Sequence, residues 1–79
     1  MIVGLWTPAE IKALRLAHRQ TIRQFAATLR VHRDTVCRWE TGRNRPPPAY
    51  TELLDRALDR AGGAVYDRML EILAQWSEA

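Results

Sequence analysis

The sequence predicts an all-α fold, a compact arrangement of five short helices. Apolar residues recur at intervals of three and four along most of the chain, which is the spacing of one helix face, and the alternation typical of a strand is almost absent. Capping patterns, glycines and a proline triplet separate these segments from one another. With 79 residues, the chain (1–79) is expected to form a single domain, because chains of this length rarely support two cores.

Two capping boxes predict where the first two helices begin. Thr7-Pro8-Ala9-Glu10 combines a hydroxyl cap, a proline at the first helical position and a glutamate at the third. Thr21-Ile22-Arg23-Gln24 repeats this pattern with a glutamine. Leu5 or Trp6 is placed to pack over the start of helix 1.

Helix 3 is expected to run from about 33 to 41, and Gly42 ends it, as a glycine after the last turn usually does. The loop at 43–48 is extended because it ends in three prolines. Helix 4 is expected from Pro48 or Ala49 to Ala61, and Gly62-Gly63 separates it from helix 5 at about 64–77. The residues expected to face the core are Ile11, Leu14, His18, Phe25, Ala26, Leu29, Val36, Trp39, Leu54, Ala57, Leu58 and Ala61.

The basic residues are concentrated in the first part of the chain. Residues 1–47 carry nine basic and three acidic side chains, whereas residues 48–79 carry three and six, so the local balances are +6 and −3 within a total of +3. Eleven of the twelve basic residues are arginine, whose planar fork suits phosphates and guanine edges. A genomic bias toward arginine would give the same ratio, but it would not give the asymmetry. The asymmetry indicates a polyanionic partner for the first part.

Helices 2 and 3 have the spacing of a helix-turn-helix unit. When Ile22 is counted as the first of twenty positions, apolar residues occupy the fourth, eighth, tenth, fifteenth and eighteenth places, where two crossed helices share a core. The fifth place holds Ala26, whose small side chain lets the helices approach each other. The five apolar residues are Phe25, Leu29, Val31, Val36 and Trp39.

With these residues, the segment from 7 to about 61 resembles the lambda-repressor-like (Cro-type, or XRE) helix-turn-helix family. The resemblance is carried by Leu14-Arg15, by Thr21 to Ala26 and by Val31 to Arg43, followed by Pro46 and Leu53-Leu54. It implies a sequence-specific regulator that binds double-stranded DNA, with helix 3 in the major groove. It also implies a partly buried ion pair between Arg15 and Glu40, each of which flanks an apolar seam.

The chain departs from the family pattern at three positions. Arg30 stands in the turn where glycine is usual, so a left-handed arginine or a different turn is expected. Ile22 replaces a glutamine that commonly binds phosphate, so that contact is lost or moved. Gln20 stands where the family prefers an apolar residue.

Helix geometry assigns roles to the residues around helix 3. Because Val36 and Trp39 turn inward, the outward side is expected to read bases, with Arg33 and Arg38 able to donate two hydrogen bonds each to guanine. Asp34 can accept from cytosine, or it can instead stabilise the helix dipole. The expected base-reading residues are Arg33, Asp34, Cys37, Arg38 and Thr41. The expected phosphate contacts are Arg23, His32, Thr35, Arg43, Asn44 and Arg45. Helix capping is the alternative role of His32, and capping or a base contact is the alternative role of Thr35.

The sequence offers little support for other kinds of site. His18, His32 and Cys37 lack the paired spacing of a metal site, and no glycine-rich phosphate loop or carboxylate cluster indicates an enzyme, so no cofactor is expected. His18 is expected as a packed imidazole. Cys37 is the single cysteine, which fits a reducing cytoplasm. The chain has no secretory signal pattern and no apolar run near the roughly 18 residues of a membrane span.

A small dimeric repressor acting on a pseudo-palindromic operator is the leading functional hypothesis. The alternative is an antitoxin that binds DNA with residues 7–61 and a toxin protein with helix 5. An interaction module that has lost DNA binding is disfavoured by the joint presence of Arg33, Arg38, Arg43 and Arg45. The apolar stripe of helix 5 is expected to form a homodimer, unless the helix folds back within the monomer. The residues expected in the dimer are Val65, Tyr66, Met69, Ile72, Leu73 and Trp76.

Overall fold

The computed structural model describes residues 6–77 and contains five helices. They are α1 (Pro8–Ala17), α2 (Ile22–Leu29), α3 (Arg33–Glu40), α4 (Pro48–Ala61) and α5 (Gly63–Ser77). Within residues 6–77 there is no strand, so the predicted all-α class is confirmed. Over the same residues, no helix has the length and apolar character needed to cross a membrane. Leu5, one of the two residues expected over the start of α1, lies outside the described residues.

The first three helices begin at the side-chain caps that the sequence contains. The hydroxyl of Thr7 accepts from the Glu10 N–H at 3.1 Å, and the Glu10 carboxylate accepts from the Thr7 N–H at 3.0 Å. Thr21 and Gln24 form the same reciprocal pair at 3.1 and 2.9 Å. His32 caps α3, since its Nδ1 accepts from the Asp34 N–H at 3.1 Å. Each cap satisfies backbone N–H groups that have no partner inside the helix.

Left-handed residues end the same three helices. Arg30 follows α2 with φ 58° and ψ 44°, which brings the N–H of Val31 to the carbonyl of Ala26 at 3.0 Å. Arg19 follows α1 with φ 58°, and Gly42 follows α3 with φ 79°. The left-handed conformation costs an ordinary L-residue roughly 1–2 kcal/mol, a cost that glycine avoids. The prediction of a left-handed Arg30 is therefore confirmed, and Arg19 adds a second strained arginine.

The core is one cluster to which all five helices contribute. Trp39 of α3 is the largest fully buried side chain, and Phe25, Ile11 and Leu14 surround the same interior. Ala57 and Leu58 of α4 pack at its margin. The buried set is Trp6, Ile11, Ala13, Leu14, Ala17, Phe25, Ala26, Leu29, Val36, Trp39, Leu54, Val65 and Met69. The predicted inward faces of α1 to α4 are thus confirmed, apart from Ala61, whose side chain lies outside the described part, and His18, which is only partly buried.

Helix α5 runs antiparallel to α1 and covers it. Near the start of α5, the Arg68 Nε donates to the carbonyl of Ala17 at 3.0 Å, at the end of α1. Near the end of α5, the Trp76 ring lies 5.8 Å from the Nζ of Lys12. Arg68 therefore supplies a donor to one of the last carbonyls of α1, which the helix itself leaves unpaired.

This packing corrects part of the expectation for α5. Val65 and Met69 are only 9% and 5% exposed, and the chain's own core encloses them, so as placed they cannot face a partner chain. Ile72 and Leu73 are partly buried against the same core. Of the predicted dimer residues, Tyr66 and Trp76 remain exposed, at 40% and 38%. The reason is that α5 folds back onto α1 and buries, fully or partly, four of these six residues within the monomer.

Candidate nucleic-acid interface

Helix α3 turns one face into the core and leaves the other in solvent. Val36 and Trp39 are 0% and 2% exposed, which fixes the rotation of the helix about its axis. The residues predicted to read bases lie on the opposite side, and all five are exposed: Arg33, Asp34, Cys37, Arg38 and Thr41. A helix held by one apolar face and presenting the other as an exposed row has the form needed to enter a major groove.

Three polar side chains at the start of α3 are close together. An oxygen of Asp34 lies 3.6 Å from His32 Nδ1, and its other oxygen lies 4.0 Å from Arg33 Nε. All three side chains are more than half exposed, so these contacts are screened by water and contribute little to stability. Asp34 is thus both in the first helical turn and open to solvent, and the arrangement is compatible with either predicted role.

At the end of α3, the chain folds tightly and then presents three polar residues. The N–H groups of Arg43 and Asn44 both donate to the carbonyl of Arg38, at 2.9 and 3.3 Å. The Thr41 hydroxyl donates to the carbonyl of Cys37 at 2.9 Å, so its hydrogen is already used and its oxygen can act toward a base as an acceptor. The side chains of Arg43, Asn44 and Arg45 are exposed.

An open hollow of about 650 Å³ joins the start of α2 to the start of α3. Arg23, Arg33 and Cys37 line it together, which places a predicted phosphate contact beside two predicted base-reading residues. Ile22 forms part of the same wall, where the family pattern has a polar side chain. Asn44 and Arg45 line a different hollow of about 430 Å³, beside Trp6 and Trp39. The predicted contacts therefore form two groups, one near each end of α3.

Arg15 and Glu40 connect α1 to the last residue of α3. Arg15 Nε donates to Glu40 Oε2 at 2.7 Å, and a second guanidinium nitrogen donates to Oε1 at 3.1 Å. A third nitrogen donates to the carbonyl of Gln20 at 3.1 Å, in the turn before α2. The two side chains are 11% and 6% exposed. The ion pair that the resemblance implied is present in this fork geometry, and it ties α3 to the two helices before it.

Three long-range contacts were not predicted from the sequence. Trp6 Nε1 donates to Asp55 Oδ1 at 2.8 Å, which joins the segment before α1 to α4. The Arg68 bond to α1 and the position of Lys12 over Trp76 are the other two. Because the indole N–H of a buried tryptophan usually has a hydrogen-bond partner, Trp6 could have been predicted to lie beside an acceptor. Nothing local distinguishes Asp55 from the other carboxylates of α4.

Among residues 6–77, no group of three histidine, cysteine or acidic side chains is arranged to hold a metal ion. Two consecutive helices joined by a tight turn, the second with an exposed face bearing arginines, define the class of helix-turn-helix domains.

A family model described as a helix-turn-helix domain matches residues 9–73. The chain belongs to this family, which is of the Cro/XRE-like type. The family assignment makes the protein a DNA-binding regulator. No curated protein and no solved structure gives a significant match to the chain.

Proposed function

We propose that the protein is a transcriptional repressor that binds specific double-stranded DNA as a dimer and reads the major groove with α3. The observation that supports this most is the exposed row on α3, whose opposite face is fixed by Val36 and Trp39 and whose end is held by the Arg15–Glu40 pair. Side chains that read bases must be held in a defined orientation, because hydrogen bonds to base edges depend on direction.

Arg33 and Arg38 are proposed to recognise guanine by paired hydrogen bonds, and Asp34 to accept from cytosine. Cys37 and Thr41 lie on the same exposed side of α3 and complete the row. The proposed phosphate contacts are Arg23 and His32 at one end of the row, with Thr35, and Arg43, Asn44 and Arg45 at the other. Contacts on both sides of the reading helix would fix its position on the duplex without reading sequence.

The dimer is proposed to form through α1 and α5. In the described part of the chain, four large hydrophobic side chains are exposed, namely Leu16, Tyr66, Leu70 and Trp76, and all four lie on these two helices. Exposed apolar side chains collected on one pair of helices favour a protein contact there. A two-fold pair of α3 helices about 34–36 Å apart would meet successive turns on one side of the duplex.

Two arginine variants test the proposed reading of DNA. A duplex is first selected from random DNA, and affinities are then measured for the selected and a scrambled duplex over a range of salt. Arg38→Ala is expected to cost about 1–3 kcal/mol on the selected duplex and to relax its preference at particular base pairs. Arg45→Ala is expected to weaken both duplexes alike and to lower the salt slope by about one unit.

Arg60→Ala removes the same charge from the exposed side of α4 and serves as the matched control. If Arg38→Ala and Arg45→Ala behave identically on both duplexes, the division into base and phosphate contacts is wrong. If the parent protein shows no preference for any selected duplex, the proposed sequence specificity is wrong.

Light scattering at micromolar concentration tests the dimer. The parent is expected to be dimeric, and Trp76→Glu is expected to shift it toward monomer, because the substitution places a charge in the proposed contact. Gln75→Glu adds the same charge at the neighbouring exposed residue and is expected to leave the mass unchanged. If the parent is monomeric, or if Trp76→Glu leaves the dimer intact, the proposal that α5 forms the dimer interface is wrong.

A further inference from the structure

Ile22, the first residue of α2, is an apolar side chain among charged ones on the proposed DNA-binding side of the domain. It packs against the core but is only partly buried. Its side chain lines the hollow that joins the start of α2 to the start of α3, together with Arg23, Arg33 and Cys37. The proposed function gives Arg23 a phosphate contact and Arg33 a base contact, but it gives no role to Ile22.

The surface that Ile22 and Cys37 give to this hollow is apolar. A free thiol is a weak hydrogen-bonding group and packs as a small apolar one, and that of Cys37 is exposed. Two polar side chains of the same hollow are already engaged within the chain. The Arg15 guanidinium donates to acceptors in the chain through all three of its nitrogens, and the Thr21 hydroxyl oxygen caps α2 by accepting a backbone N–H at 3.1 Å.

The base edges in the major groove present one apolar group, the C5 methyl of thymine, among hydrogen-bond donors and acceptors. A phosphate oxygen brought against Ile22 would lose water without gaining a hydrogen bond in its place, which is unfavourable. A thymine methyl brought to the same place removes apolar surface from water on both sides of the contact, which is favourable. The chemistry of this part of the hollow therefore favours thymine over a phosphate or another base.

We infer that Ile22, with Cys37 of the same hollow, recognises the methyl group of a thymine in the bound DNA. This role rests on the proposed function, because the hollow meets base edges only when α3 lies in the major groove. Arg33 lines the same hollow and is proposed to read guanine, so the thymine is expected next to that guanine. Ile22 is thus a specificity-determining residue outside α3, and it acts through apolar contact where Arg33 acts through hydrogen bonds.

Replacing single thymines by uracil tests this contact, because uracil lacks only the C5 methyl and keeps the same base pairing. A duplex is selected from random DNA, and each thymine of the selected site is replaced in turn before the affinity is measured. For the parent protein, one thymine in each half-site is expected to be sensitive, with the affinity falling about fourfold on its replacement. This is the factor expected when one methyl-sized group is returned to water.

Variants at position 22 show whether this side chain makes the contact. Ile22→Gln keeps the bulk but removes the apolar character, so its affinities for the thymine and uracil duplexes are expected to be equal. Ile22→Val keeps a branched apolar side chain and is expected to retain most of the preference. Leu58→Ala truncates a partly buried residue of α4 and is the matched control, expected to keep the parent's ratio. Because each ratio compares two duplexes on one variant, a loss of stability lowers both affinities alike and cancels.

A selected duplex in which no thymine is sensitive to replacement would overturn the inference and leave the proposed sequence-specific binding standing. So would a sensitivity that Ile22→Gln leaves unchanged, since another side chain would then contact the methyl. If no duplex is selected from random DNA, the proposed sequence specificity is itself wrong, and the role of Ile22 is wrong with it.

Discussion

Replacing Glu40 with glutamine is expected to destabilise the domain by about 3–5 kcal/mol. In the parent, two guanidinium nitrogens of Arg15 donate to the Glu40 carboxylate at 2.7 and 3.1 Å, and the side chains are 11% and 6% exposed. Glutamine keeps the shape and one acceptor oxygen but loses the charge. Arg15 then stays desolvated with its charge, and the neutral oxygen of the new glutamine and the Gln20 carbonyl are its remaining acceptors.

The expected loss is large relative to the stability of a domain this small. At roughly 0.05–0.15 kcal/mol per residue, a chain of 79 residues has a free energy of unfolding of about 4–12 kcal/mol. A loss of about 3 kcal/mol therefore removes a quarter or more of it. Since 1 kcal/mol shifts the Tm of such a domain by about 4–8 °C, the Tm is expected to fall by at least about 12 °C.

Thermal unfolding followed by circular dichroism measures the effect. Glu52→Gln, at an exposed position of α4, is the matched control and is expected to change stability by less than about 0.5 kcal/mol. Replacing both partners, with Arg15→Met and Glu40→Leu, is expected to recover most of the loss, because neither buried charge remains. A Glu40→Gln melt that coincides with the parent's would refute this reasoning. So would a double variant that is as unstable as the sum of its two single substitutions.

Two further predictions concern backbone strain and the segment before α1. Arg30→Gly is expected to raise stability by up to about 1 kcal/mol, because Arg30 has φ 58°, whereas Ala27→Gly inside α2 is expected to lower it by about the same amount. If urea unfolding shows that Arg30→Gly and Ala27→Gly change the free energy of unfolding in the same direction, the strain argument is wrong. Trp6→Phe is expected to cost about 2 kcal/mol by leaving Asp55 unpaired and reducing the packed volume, and Asp55→Asn, which keeps an acceptor, to cost less. If Asp55→Asn lowers the free energy of unfolding more than Trp6→Phe does, Asp55 stabilises the fold through something other than its hydrogen bond to Trp6, and this reasoning is wrong.

The helix boundaries could be predicted because the signals that set them are local. The threonine of each capping box lies three residues before its partner, so Thr7 and Thr21 are recognisable without any tertiary information. Gly42 ends α3 for an equally local reason. The outward row on α3 could also be predicted, because the burial of Val36 and Trp39 determines which residues lie on the opposite side.

The contacts of α5 could not be predicted in the same way. Its apolar stripe is compatible with packing inside the monomer and with packing against a second chain, since both remove the same side chains from water. Which surface covers Val65 and Met69 depends on the direction of the helix after Gly62-Gly63, and no pattern within α5 specifies that direction. The Trp6–Asp55 bond joins residues 49 positions apart and was undetectable for the same reason.

The covering of α1 by α5 has a consequence for the newly made chain. Residues 17 and 63 are separated by 46 positions, which a ribosome adding about 5–20 residues per second takes roughly 2–9 s to traverse. Small helical domains complete folding in microseconds to milliseconds once all of their contacts can form. Synthesis is therefore the slow step, and for seconds α1 lacks the helix that later packs against it. During that interval the side of α1 that packs against α5 is open to solvent, and the core of the domain is completed only when α5 emerges.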